Sequence, residues 1–322
     1  RDEAANLANN LPGVLVQQYN TTHEVVLVND NSEDETKYLL EEFKKSFKNL
    51  NPVLLSQEAK MINGKKFPLS IGIKSAKNET LLLTDADCLP ASEHWMRLMQ
   101  DGYDEGKEIV LGYGAYKKKP GLLNKLIRFE TFQTALQYFS YALAGLPYMG
   151  VGRNLSYKRE LFIKNKGFSS INQIPSGDDD LFINSVATAK NTTIIATPES
   201  FTRSLPKETY ADWIEQKRRH ISTAKYYKFK DRVLLDESNV ELTRDWQKLE
   251  QAVLQNKKFT QSEKEVAISH AANVLGRSFS EVLDIYDAFG TKEKPDRFLH
   301  IIYWLGKLAI DEVIQNNKRT IT

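Results

Sequence analysis

Residues 24–36 read EVVLVNDNSEDET, a β-branched apolar run that breaks off at an acidic, turn-forming segment. This spelling predicts a buried strand whose carboxyl end opens into a polar loop. Beyond it Leu39, Leu40, Phe43, Phe47 and Leu50 recur at helical spacing, with lysines and glutamates between them. Pro52 is expected to close that helix, and residues 53–55 to begin a second strand. Residues 70–77 read as another helix. Residues 79–84, ETLLLT, form a compact apolar strand that ends in acids at Asp85 and Asp87. Strands alternating with helices predict an α/β chain built on a doubly wound, mostly parallel sheet. In such sheets ligands bind beyond the carboxyl ends of the strands, where both acidic groups fall.

Further along, residues 121–148 are helical by pattern. Leu122, Leu123, Leu126, Ile127 and Phe129 are followed there by an aromatic-rich stretch. A glycine turn, GVGRN at 150–154, and another acidic group, SGDDDLF at 176–182, come next. From about Asp236 the character changes, because residues 236–322 lack a strand signal and read as helices broken at Gly276, Gly290 and Pro295. The expected division is therefore a nucleotide-binding type of domain over 1–235 and a helical domain over 236–322.

Composition narrows the function. With 41% hydrophobic and 27% charged residues the chain is an ordinary globular protein, which sets disorder aside. A formal net charge of +2 gives no case for nucleic acid as a partner. Charge is uneven, however: residues 201–235 hold nine Lys or Arg against four acids, an excess that favours phosphate or anionic lipid as a neighbour. The lone cysteine, Cys88, excludes an internal disulfide and fits a reducing compartment. Residues 131–152 carry no charge but include Gln133, Gln137, Ser140 and Pro147, too polar to span a membrane and apolar enough to lie on one.

Three acidic groups carry the chemistry. Asp30, directly after the first strand, is placed to accept hydrogen bonds from a base or ribose, whereas Asp34 in the same turn reads as a helix cap. Asp85 and Asp87, separated by one residue at a strand end, point to the same side of an extended chain. Such a pair suits a hard divalent cation, Mg²⁺ or Mn²⁺, bridging substrate phosphates. Asp178, Asp179 and Asp180 repel one another, which raises the pKa of at least one unless a cation lies near, and this suits a general base. Gln216, Arg219 and His220 share a face of a basic helix that could clamp a diphosphate.

Together these segments resemble glycosyltransferase family 2, whose members share the GT-A fold. The matching segments are RDEAANL at 1–7, VNDNSEDET at 28–36, TDADC at 84–88, GVGRN at 150–154, GDDDLF at 177–182 and QKRRH at 216–220. The resemblance implies that Glu3, Asp30 and Asp85 face a nucleoside and Asp87 a metal ion. It implies that Asp178 or Asp179 is the catalytic base, with Asp179 the first choice, and that Gln216 and Arg219 hold the diphosphate. It further implies an inverting transfer from a nucleotide-diphosphate sugar to a glycan or lipid-linked acceptor, at the cytoplasmic face of the cell membrane. Two departures are expected: an apolar first strand ahead of Arg1 is absent from the sequence, and residues 236–322 do not read as membrane helices. The rival readings are a sugar-phosphate nucleotidylyltransferase, which calls for a glycine-rich phosphate loop near the start, and a non-catalytic scaffold of the same fold.

Overall fold

The computed structural model describes residues 1–55, 64–103 and 106–232. The helical region expected over 236–322, and the boundary near 235, lie outside the described residues. In chain order the elements are α1 (Ala4–Leu15), β1 (Val25–Asn29), α2 (Thr36–Ser46), β2 (Leu50–Leu54), α3 (Lys66–Ser75), β3 (Thr80–Leu83), β4 (Leu89–Pro90) and α4 (Trp95–Gln100). They continue with β5 (Ile109–Leu111), β6 (Gly114–Tyr116), α5 (Leu122–Leu143), β7 (Leu155–Lys158), α6 (Arg159–Lys164), α7 (Asp180–Val186), β8 (Thr192–Ile194), β9 (Thr202–Ser204) and α8 (Tyr210–Ala224). The chain divides into two compact units, residues 1–135 with 148–227, and residues 136–147 with the described residues from 228. In the second, Tyr138 and Phe139 pack edge to face with ring centroids 4.8 Å apart. Every site residue discussed below lies in the first.

β1 and β2 run parallel with Val25 opposite Leu50 and Leu27 opposite Pro52. Proline cannot donate to a ladder, and it is tolerated here because β2 pairs on one side only. The helix expected to run through Leu50 stops four residues earlier, at Ser46, because Phe47 is extended and Leu50 belongs to β2. Leu50 instead joins Leu7, Leu11, Leu15 and Leu40 in a buried cluster. The three leucines of α1 recur every fourth residue, so one stripe of that helix faces the core. α3 begins four residues before the expected Ser70. Pro68 falls in its first turn, where a missing N–H breaks no intrahelical bond. Gly72 is required there, since a Cβ would stand 2.9 Å from Val28 Cγ2 and push α3 off β1.

The remaining strands form a mixed arrangement. β3, β7, β5 and β8 lie side by side in that order, with β7 antiparallel to both β3 and β5, and β8 parallel to β5. β9 lies between β4 and β6, antiparallel to the first and parallel to the second. The α/β class follows from the alternation as expected, and the detail the alternation lacked is the reversed β7. One buried amide fastens these sheets: Asn154 accepts from Trp95 Nε1 at 3.0 Å and donates to the carbonyls of Tyr113 and Ser200 at 3.0 and 2.8 Å. Between β1 and β3, which are not paired with each other, lies a cavity of about 1160 Å³.

Candidate active site

The mouth of that cavity is polar. Eight of the residues singled out in the sequence, Glu3, Asp30, Asp85, Asp87, Asp178, Asp179, Gln216 and Arg219, line it, whereas Asp180 and His220 are not part of the lining. They arrive from five places: the start of α1, the end of β1, the end of β3, the loop before α7, and α8.

The loop after β1 is held by its own side chains. Asn29 Oδ1 accepts from Ser32 N at 3.0 Å, and Asn31 takes the left-handed conformation at φ 51°. Asp34 accepts from Ala4 N at 2.9 Å and from Thr36 N at 3.0 Å, so it secures the first turns of α1 and α2 together. The Thr36 side chain beside it, and then the bond from Ala4 N, hold its carboxyl below the ordinary range. Glu3 sits at the N-cap of α1 and accepts from Asn6 Nδ2 at 2.6 Å.

At the end of β3 the chain turns sharply, with Cys88 N donating to Asp85 O at 3.0 Å. Lys65 Nζ lies 2.8 Å from Asp85 Oδ1. Burial pushes the Asp85 carboxyl up, but Lys65, with Arg153 and Arg219, pushes it down by more, and it stays below the ordinary range. Asp87 is shifted the other way, by burial and then by the like charge of Asp85. Cys88 is buried, and burial followed by the Asp87 charge pushes its thiol up to about 12, so it remains a thiol.

The acidic loop is set by a buried cation that the sequence did not single out. Lys66 is 1% exposed, and its ammonium donates to the carbonyls of Ile174 and Ser176 at 2.5 and 2.6 Å. Gly177 then adopts φ 96°, with Leu181 packed where a Cβ would stand. Asp179 is engaged through both oxygens, accepting from Gly152 N at 2.7 Å and Asp180 N at 2.8 Å. Asp180 is buried and accepts from Leu181 N at 2.8 Å, Tyr227 Oη at 2.8 Å and Thr223 Oγ1. Among the described residues, no side chain or backbone N–H of another residue donates to Asp178. Burial, and next the charge of Asp179, pushes its carboxyl up to about 6.

On the opposite wall Thr209 caps α8 by accepting from Asp212 N at 3.1 Å. Gln216 Nε2 donates to Tyr116 Oη at 3.3 Å, and the Arg153 guanidinium lies 4.3 Å above the Tyr116 ring. Arg219 and His220 are exposed on the same helix, and Lys217 is paired with Glu130. Lys65, Lys66, Arg153 and Tyr116 are the residues that sequence reading missed. Arg153 lies inside the quoted GVGRN segment but had no role, and the lysine pair before α3 shows no periodic signal.

Within residues 131–152, Phe132, Ala135 and Tyr148 are buried, and Leu143 is exposed. Among the described residues no helix is long and apolar enough to cross one.

Strands ending in paired acids, a cavity at those ends and a second acidic loop facing a basic helix define a GT-A type transferase. The chain belongs to glycosyl transferase family 2, whose family model matches residues 1–165, and it is a glycosyltransferase. The match covers the β1 loop, Asp85 and Asp87, and stops short of Asp178 and α8. Among solved structures the chain is similar to the mannosyltransferase PcManGT from Pyrobaculum calidifontis in complex with GDP-Man and Mn²⁺. The identity is 20%, over 97% of this chain and 84% of that one, with a TM-score of 0.54. It is also similar to S. aureus TarS 1-349 in complex with UDP-GlcNAc, at 16% identity over 99% and 89% of the chains and a TM-score of 0.46. No curated protein matches the chain.

Proposed function

We propose that the chain transfers a sugar, with inversion, from a nucleotide-diphosphate sugar to an acceptor hydroxyl, assisted by Mg²⁺ or Mn²⁺. The observation that carries this reading is the convergence of acids from β1, β3 and the α7 loop with Gln216 and Arg219 of α8 on one cavity mouth. The GDP-Man and Mn²⁺ held by the mannosyltransferase of like fold support the donor class and the cation.

Glu3, Asp30 and Asp85 are assigned to the nucleoside, and Gln216 and Arg219 to the diphosphate. Among the described residues no group of three or more His, Cys, Asp or Glu converges as a metal cage. The available donors are carboxylate oxygens from Asp87 and Asp85, which fits a hard cation that takes its other ligands from phosphates and water. Such an ion neutralises charge on a departing diphosphate.

The geometry favours Asp178 over Asp179 as the base, since Asp179 has both oxygens committed to backbone N–H groups while Asp178 is open to the cleft. In the proposed step Asp178 takes the proton from the acceptor hydroxyl as its oxygen bonds to the anomeric carbon. The bond from that carbon to the diphosphate breaks, and the electron pair leaves with the diphosphate beside Arg219. The acceptor is assigned to a glycan or a lipid-linked molecule, reaching the cleft past Leu205 and Lys207 on its rim. A membrane-facing role is open to the exposed Leu205, Tyr210 and Ile214 beside Arg218 as well as to residues 131–152. The test is a transfer assay across GDP- and UDP-sugars with Mn²⁺, analysed for the anomeric configuration of the product. Retained configuration, or release of pyrophosphate in place of a nucleoside diphosphate, overturns the reading.

A further inference from the structure

Lys65 occupies a position that the reaction outlined above does not use. It is the residue before α3, with its side chain 65% exposed and its ammonium 2.8 Å from Asp85 Oδ1. Its neighbour Lys66 is fixed by two carbonyls of the acidic loop, so the root of Lys65 is held while its exposed tip reaches Asp85. Asp85, and after it Asp178 and Asp179, are the negative charges that face this ammonium. The ammonium is thus an exposed positive charge paired with Asp85 and facing the acidic loop.

We propose that Lys65 is the built-in counter-ion of this cleft: it neutralises Asp85 until a divalent cation and a nucleoside diphosphate arrive, and then transfers its charge to the diphosphate. The inference rests on the cation reading given above. Two features make the exchange feasible. An ion pair this exposed contributes at most about 1 kcal/mol, so a divalent ion can displace it. The amino end of α3 is also the positive end of a ten-residue helix, which favours an arriving phosphate at the place the lysine tip can reach. Asp87, whose side chain among the described residues accepts a hydrogen bond from Cys88 Sγ alone, at 3.5 Å, needs no such release.

The experiment is a Mn²⁺ titration of the full chain, read by water-proton relaxation, without nucleotide and then with GDP or UDP in separate arms. Removing the competing ammonium in Lys65→Gln should tighten Mn²⁺ binding in the nucleotide-free arm by about fivefold, while Lys65→Arg stays near the original value. In the arms with nucleotide, Lys65→Gln should weaken diphosphate binding by a similar factor. Unchanged Mn²⁺ affinity in Lys65→Gln, with Asp87→Asn still losing Mn²⁺, overturns the counter-ion role and leaves the cation reading intact. A wild-type chain that binds no Mn²⁺ in any arm overturns both.

Discussion

The buried carboxylate of Asp180 accepts a hydrogen bond from the Tyr227 hydroxyl at 2.8 Å, tying the first residue of α7 to the chain just beyond α8. Thr223, on the last turn of α8, donates to the same oxygen. The loop with Asp178 and the helix with Arg219 are thereby held to one another through a residue that itself faces the interior. Tyr227→Phe should cost about 1 to 2 kcal/mol, because it leaves a buried acceptor with one partner fewer. Urea denaturation measures this, and an unchanged midpoint would remove the bond from the account.

The choice between neighbouring acids is testable by kinetics. Asp178→Asn should lower kcat by about 10² to 10⁴ with the donor KM little changed, since it removes a proton acceptor and no donor contact. Asp179→Asn keeps one carbonyl oxygen for Gly152 N and should be milder in kcat. It should instead lower the melting temperature, as a weakened helix cap does. Reversed kcat losses would return the base to Asp179, the first choice from the sequence.

How far the sequence discloses this site depends on where each contact comes from. β1 and β3 are legible because each is an apolar run ended by acids, and the acids that matter stand at those ends. α1 was not read: Pro12 and Gly13 obscure it, although Leu7, Leu11 and Leu15 carry a helical stripe. β5, β8 and β9, at three residues each, have no pattern of their own and exist through their partners. The open state of Asp178 follows from bonds that Asp179 and Asp180 make to Gly152, Thr223 and Tyr227, all remote in sequence. Lys66 is invisible for the same reason, since its partners lie beyond residue 170.

Stability should depend on pH through Asp180. Burial, and then the charge of Asp179, raises its carboxyl from 3.8 to about 6, so the folded chain binds this proton more tightly than the unfolded chain. Stability from this group is present at low pH and is lost as pH rises through the interval between those values. The melting temperature of the wild type relative to Asp180→Asn should therefore fall between about pH 4 and pH 7. A difference that is flat or rises with pH would contradict the assigned environment.

The last prediction concerns the cation itself. Among the described residues the Asp87 side chain makes no hydrogen bond beyond that from Cys88 Sγ, and its neighbour Asp85 is paired with Lys65. Asp87→Asn therefore removes a hard oxygen ligand at little structural cost, and the melting temperature without ligand should change by no more than about 2 °C. The stabilisation that a nucleoside diphosphate gives in the presence of Mn²⁺ should shrink, because ligand-linked stability follows affinity by mass action. The Mn²⁺-free stabilisation should stay as it was, since the assigned diphosphate contacts come from Gln216 and Arg219. Equal loss with and without Mn²⁺ would place Asp87 on the nucleotide instead of the ion. Unchanged stabilisation in both conditions would remove it from the donor site.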